Sequence, residues 1–215
     1  MKRITTLLTI ITFFAASTIT QAQLSVGARI GINLSDQLSK SKGGENFDYE
    51  GLAGLSIAIP LEIGLTERFS VQPELTFIQK GAGLSFTLLG VEVTNNSVYN
   101  YLALPLLVKY KFINSDAFKM YAVVGPGFGY ALGGNTGTST TKTKIDFDAD
   151  TYKDFERFET NLNFGLGFGF TTESGDIVLD LRYRYGLSDL DKSDDFVTKN
   201  HSIGLSVGYM YRLGE

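Results

Sequence analysis

The sequence predicts an all-β chain, folded as one eight-stranded antiparallel up-and-down barrel. Three observations carry this. Apolar residues recur at every second position through eight separate segments, the period at which strand side chains return to one face. The connections between those segments alternate strictly between short and long. The composition holds 24 Gly and 13% aromatics, with 4 Pro and no Trp, a mixture that favours strands and turns over helices. A hydrophobic share of 43% allows a packed fold. A length of 215 residues allows one large domain.

The first segment reads as an address. Met1-Lys2-Arg3 is a positive start, residues 4–19 are apolar with Thr and Ser interspersed, and Thr20-Gln21-Ala22 offers a small-residue cleavage site before Gln23. This is the three-part pattern of a secretory signal peptide. A membrane-spanning helix needs about 20 mainly apolar residues, and this run is shorter and rich in Thr. The expected division is residues 1–22 as signal peptide and 23–215 as barrel. Loss of Lys2 and Arg3 takes the formal charge from −4 to about −6. The longest later stretch without charge, Tyr121 to Thr141, is dense in Gly and contains Pro126, which suits extended chain better than helix.

The alternating segments follow in order. Leu24 to Asn33 sets Leu24, Val26, Ala28, Ile30 and Ile32 against Ser25, Gly27, Arg29, Gly31 and Asn33. Gly54 to Leu65 carries Leu55, Ile57, Ile59, Leu61, Ile63 and Leu65 on its apolar row. Phe69 to Lys80 sets Phe69, Val71, Leu75 and Phe77 against Ser70, Gln72, Glu74, Thr76 and Lys80. Leu102 to Phe112 has its even positions apolar, opposite Ala103, Pro105, Leu107, Lys109 and Lys111. Lys119 to Leu132 opposes Ala122, Val124, Pro126, Phe128, Tyr130 and Leu132 to a Gly-rich odd row. Asn161 to Thr171 is the clearest case, with Leu162, Phe164, Leu166, Phe168 and Phe170 facing away from Asn161, Asn163 and three glycines. A 3.6-residue period would mix those two sets on every face. Asp176 to Leu187 and His201 to Leu213 close the series in the same way. Pro60, Pro73, Pro105 and Pro126 all lie inside these segments. Proline cannot donate to a ladder, so bulges or missing bonds are expected there. The apolar phase moves to even positions at Leu84, Phe86 and Leu88, and Gly81 and Gly83 are where it can shift.

Residues 66–68, 114–117 and 173–175 make short connections. Residues 35–51, 81–97, 133–159 and 188–200 make long ones. In an up-and-down barrel all short turns and both termini then share one end, and all long loops share the other. Outer-membrane barrels are arranged this way, with strands long enough to cross the hydrocarbon.

Periodicity does not say which face is wet. A soluble lipocalin-like carrier would turn the apolar row inward; a membrane barrel would turn it to lipid. The polar row here is mostly Gly, Ser and Ala with few charges per strand, which suits a narrow interior better than a watery surface. Tyr99, Tyr101, Tyr110, Tyr121, Tyr130, Tyr185, Tyr209 and Tyr211 lie near strand ends, as an interfacial aromatic girdle would. The row assigned to the lumen holds Arg29, Lys80, Lys109, Lys111, Arg182, Arg184 and Arg212 with Glu62, Glu74 and Asp180. Buried charges need partners or water, so an ion network filling the lumen is expected. Eight strands enclose little more than their own side chains. A narrow anion path is the alternative.

Tyr101-Leu102-Ala103-Leu104-Pro105-Leu106-Leu107-Val108-Lys109-Tyr110 resembles the fourth-strand motif of the PorT-like outer-membrane β-barrel proteins of Gram-negative bacteria. Val26 to Ser35 is similar to that family's first strand, and Gly125-Pro126-Gly127-Phe128-Gly129 to its fifth. The resemblance implies an eight-stranded barrel in the outer membrane and tolerance of prolines in its strands. Some members are linked to protein secretion, and the resemblance supplies no catalytic residues.

Other chemistry is thin. The chain has no Cys and one His, which excludes a disulfide framework, a thiol nucleophile and a multi-histidine metal site. Its acidic balance gives no reason for a nucleic-acid partner. His201-Ser202 is the one adjacent His/Ser pair, but strand neighbours face opposite sides. Asp146, Asp148 and Asp150 echo a calcium loop, yet Thr151 and Arg157 stand where Gly and Glu belong, so a solvated acidic loop is expected. Gly165-Leu166-Gly167-Phe168-Gly169 precedes no helix and is no phosphate cradle. The sequence thus points to a non-enzymatic outer-membrane barrel without cofactor. Its wall would meet outer-membrane lipid, and its long loops would meet other envelope or secretion proteins. A lipid-modifying enzyme and a secreted carrier of an apolar ligand are the rivals.

Overall fold

A computed structural model describes residues 23–41, 46–48, 50–88, 91–138, 140–193 and 196–213. The proposed signal peptide lies outside the described residues. Among the described residues ten strands form one antiparallel sheet: β1 (Leu24–Ser41), β2 (Asn46–Asp48), β3 (Glu50–Gly64), β4 (Phe69–Leu88), β5 (Val91–Asn114), β6 (Phe118–Gly137), β7 (Lys142–Lys144), β8 (Phe158–Thr171), β9 (Gly175–Gly186) and β10 (Phe196–Leu213). Eight of them pair in sequence, and β10 closes the ring on β1. The short β2 and β7 only flank β1 and β6.

The register fixes the barrel's shape. Paired residues run Leu24, Ile63, Val71, Val108, Val124, Phe164, Tyr183 and Ile203, and the circuit returns at Leu34, ten residues further along β1. With about 3.3 Å per residue and about 4.8 Å between strands, that offset tilts the strands by roughly 40° and sets a radius of about 8 Å. Each residue then climbs about 2.5 Å along the axis, so roughly ten residues cross a 25 Å apolar band.

Several strands overshoot that band. Residues 81–97, expected as a loop, instead continue the β4–β5 hairpin, paired from Gly81↔Val98 to Leu88↔Val91. Similarly, β1 runs to Ser41 and β10 starts at Phe196, paired with each other throughout. These extensions are rich in Ser, Thr, Asn and Val, which carry no strong apolar alternation but have good strand propensity. The phase shift falls where the glycines are. Gly81, Ala82 and Gly83 are all buried, and Leu84 is exposed.

The ladder breaks beside every proline. Between β1 and β3 it skips from Val26↔Leu61 to Arg29↔Ala58 beside Pro60. Between β3 and β4 it skips from Pro60↔Glu74 to Ile63↔Val71 beside Pro73. Between β4 and β5 it skips from Pro73↔Leu106 to Thr76↔Ala103 beside Pro105. Between β5 and β6 it skips from Pro105↔Gly127 to Val108↔Val124 beside Pro126. The four prolines therefore climb diagonally across neighbouring strands. Gly125 sits at the last gap, where a Cβ would lie 2.0 Å from the Leu106 carbonyl oxygen.

Candidate functional site

The two strand faces are the reverse of a soluble protein's. Ile32 and Leu166 are 62% and 55% exposed, whereas Arg182 and Asp180 are 2% exposed. The apolar rows of all eight ring strands point outward, and the charged residues level with that apolar belt point in. An apolar surface of this extent is stable only against an apolar medium. Among the described residues no helix is long and apolar enough to cross a membrane; the crossing elements are strands. The soluble-carrier arrangement, with apolar rows inside, is not the one found.

Aromatic side chains bound the outward belt. Phe69, Tyr110, Phe118, Phe170, Tyr209 and Tyr211 lie toward the end with the short turns; Tyr130, Phe158 and Tyr185 lie toward the loop end. Three of the expected girdle tyrosines do not belong to it. Tyr99, Tyr101 and Tyr121 occupy inward positions and are buried to 8%, 0% and 3% exposure. Their odd numbers place them on the inward rows of β5 and β6, and proximity to a strand end alone could not reveal that.

The interior is organised in tiers. Nearest the turn end, Glu62 receives Lys109 at 2.7 Å, Lys111 at 2.8 Å and the Ser70 hydroxyl at 2.9 Å. The Lys109 ammonium also lies 4.3 Å from the Tyr121 ring centre. In the middle, Arg29 and Arg182 each contact both Glu74 and Asp180, at 2.5, 3.1, 2.8 and 2.9 Å. These four side chains come from β1, β4 and β9, and their charges cancel. Gln72 donates to Glu74, and Tyr121 donates to Asp180. Toward the loop end, Lys80 pairs with Glu159, which also accepts from Asn161 and Asn200. Arg184 lies between the upper tiers and donates to Asn33 at 3.2 Å. Arg212 sits at the turn end, where it donates to the Thr172 and Gly175 carbonyls.

Glu159 was not among the residues singled out from the sequence, because it falls in a segment read as loop. A signal was present: it continues the odd, polar row of Asn161 and Asn163 two residues upstream. Lys119 and Asp176, paired at 2.7 Å by the turns, open two of the predicted strands and were not assigned to the lumen network. Both begin a strand, where a two-residue pattern is too short to read.

Two loops cover the loop end. Residues 138–157 carry Phe147, Tyr152 and Phe155 onto a buried cluster of Ile78, Tyr99, Tyr101, Ala103, Ala131 and Ile145. Phe155 stacks on Tyr99 at 4.8 Å, and Arg157 lies over both Phe147 and Tyr130 at 4.7 Å. The second, the connection between β9 and β10, is bound to the first through Glu156 N–H to the Leu190 carbonyl and Lys192 N–H to the Asp154 carbonyl. Asp146, Asp148 and Asp150 project to solvent while Ile145, just before them, and Phe147, among them, turn inward. Among the described residues, no three acidic, His or Cys side chains converge as metal ligands.

His201 and Ser202 lie on opposite sides of β10. The His201 ring packs edge-on against Tyr185 at 4.7 Å and shares a 3.3 Å hydrogen bond with the outward Tyr183 hydroxyl. Nucleophile and base must meet within hydrogen-bond reach, and this pair is separated by the wall.

A family model described as outer membrane protein beta-barrel domain matches residues 17–192. A search of curated proteins finds no match. The outer membrane protein OprG from Pseudomonas aeruginosa is similar in fold: TM-score 0.54, 13% identity, with 90% of this chain and 98% of that one covered. Neisserial surface protein A has TM-score 0.49 and 12% identity, with 88% and 97% covered. Ail of Yersinia pestis, solved in complex with the heparin analogue sucrose octasulfate, has TM-score 0.42 and 17% identity, with 88% and 99% covered.

Proposed function

The chain belongs to the outer membrane protein beta-barrel domain family, and from that premise we propose that it is a non-enzymatic membrane anchor with a closed lumen. The wall holds the protein in the outer membrane, with the short turns on the periplasmic side and the long connections outside. The strands that overshoot the lipid, together with the two bound loops, form a platform for other envelope or secretion proteins. Export by the amino-terminal signal peptide is part of this reading, as is kinship with the PorT-like barrels.

The observation that carries the closed lumen is the middle tier. Four charged side chains from three strands span an interior of about 8 Å radius. The lipid-modifying alternative draws no support from His201 and Ser202, whose side chains point apart. Planar-bilayer recording of the folded protein tests the proposal. No steady openings are expected; regular large openings would overturn the closed lumen. Cell fractionation with an unboiled and a boiled SDS gel tests the anchoring. The folded form should resist SDS until heated, and recovery as a soluble monomer would overturn it.

A further inference from the structure

The outward row of β6 carries Ala122, Val124 and Pro126, all of low relief. Its partner β8 carries Phe164, Leu166, Phe168 and Phe170. The mismatch leaves a trough of about 400 Å³ in the lipid-facing wall, lined by Ala122, Phe164, Leu166, Leu181, Tyr183 and Ile203. From the register, Ala122 lies about 14 Å below Ile203 along the axis, so the trough runs toward the loop end. Tyr183 forms its upper wall, and the phenol is braced by His201.

Directly above lies a cation. His201 and Lys199 are two and four residues beyond Ile203 on the same outward row of β10. They stand about 5 and 10 Å past the last belt residue. Lys199 takes part in no ion pair among the described residues. Asp36 is paired with His201 across β1–β10 and accepts the Gln37 N–H. An apolar trough that ends beneath an unpaired ammonium at headgroup height matches an acyl chain continuous with an anion.

We propose that this part of the wall is a discrete site for one membrane lipid with a net anionic headgroup. The acyl chain fills the trough, Lys199 meets the phosphate, and His201 positions Tyr183 as the upper wall. The inference rests on the reading that the wall faces lipid. A single Lys near an anionic surface is worth about a fivefold preference.

Native mass spectrometry of the detergent-solubilised full chain tests this, with phosphatidylglycerol and phosphatidylcholine of matched acyl chains as probes. One adduct should saturate first, about fivefold more readily with phosphatidylglycerol. Lys199→Gln should abolish that preference and leave binding of both lipids at the weaker level. Ala122→Phe should weaken both by filling the trough. A heat-modifiability gel run on each sample separates the two readings. Protein that never forms the SDS-resistant state refutes the membrane barrel itself. Protein that does form it but gives no discrete adduct, or gives adducts indifferent to both substitutions, refutes only the lipid site.

Discussion

Glu74→Gln is the sharpest perturbation of the interior. Glu74 holds Arg29 at 2.5 Å and Arg182 at 2.8 Å, and all three side chains are almost wholly buried. Replacing the carboxylate leaves Asp180 alone between two guanidinium groups and takes the tier from neutral to a net positive charge. With charge centres about 4 Å apart and an effective dielectric near 20, each lost attraction is about 4 kcal/mol. Release of Glu74's own desolvation cost and entry of water offset part of that sum. Removal of one partner from a buried pair costs about 3–5 kcal/mol, and that is the loss of stability expected. Arg29→Gln in the same chain removes the surplus charge, so the double variant should be more stable than the sum of the single losses allows. The assay is reversible urea unfolding in phospholipid vesicles, followed by far-ultraviolet circular dichroism and by the folded fraction on unboiled gels. If Glu74→Gln falls within about 1 kcal/mol of the unaltered protein, or the double variant is strictly additive, the tier does not bind the strands together as argued.

Three further outcomes are expected. Tyr99→Ala removes the aromatic platform under Phe155, so trypsin should cut the covering loop at Lys142, Lys144 or Lys153 faster while the ring stays intact; unchanged cleavage would show that the loop is held elsewhere. Gly125→Ala forces a Cβ to 2.0 Å from the Leu106 carbonyl and should cost about 2 kcal/mol, whereas Gly133→Ala meets nothing within 4 Å and should change the urea midpoint little. The Phe158 N–H, foremost among its favourable contacts, holds the Glu156 carboxyl below its ordinary range. Its small contribution to the loop is therefore present above that range and lost as pH falls through the lowered folded value. Protease sensitivity of the loop should rise on acidification and should become pH-insensitive there in Glu156→Gln.

The barrel was legible because lipid and lumen impose opposite chemistry on alternate residues. Leu162 to Phe170 against Asn161 to Gly169 states this outright. The same rule identified Arg29, Glu62, Glu74, Lys109, Asp180 and Arg182 as inward residues, but it could not say which would touch. Arg29 meets Glu74 and Asp180 only because the register brings β1, β4 and β9 to one level, and register is a property of the closed ring. The overshooting strands were illegible for a related reason. Past the hydrocarbon, both faces of the described parts of these extensions meet water or other polar chain, so Ser85, Thr94, Asn95 and Ser97 lose the contrast that marks a strand. Tyr99 and Tyr101 misled because an interfacial ring and a ring roofing the lumen have the same composition and differ only in parity.

The diagonal of prolines gives the wall a seam. In hydrocarbon a carbonyl without a donor has no solvent to turn to, so the sheet there is stitched partly by side chains, as where Asn163 reaches the Gly125 carbonyl. Neighbouring panels such as β8–β10, knitted by unbroken backbone bonds, are the stiffer half of the cylinder. Any flexing under lateral pressure from the bilayer would then concentrate along that oblique line, and the deuterium uptake of its amides should trace it.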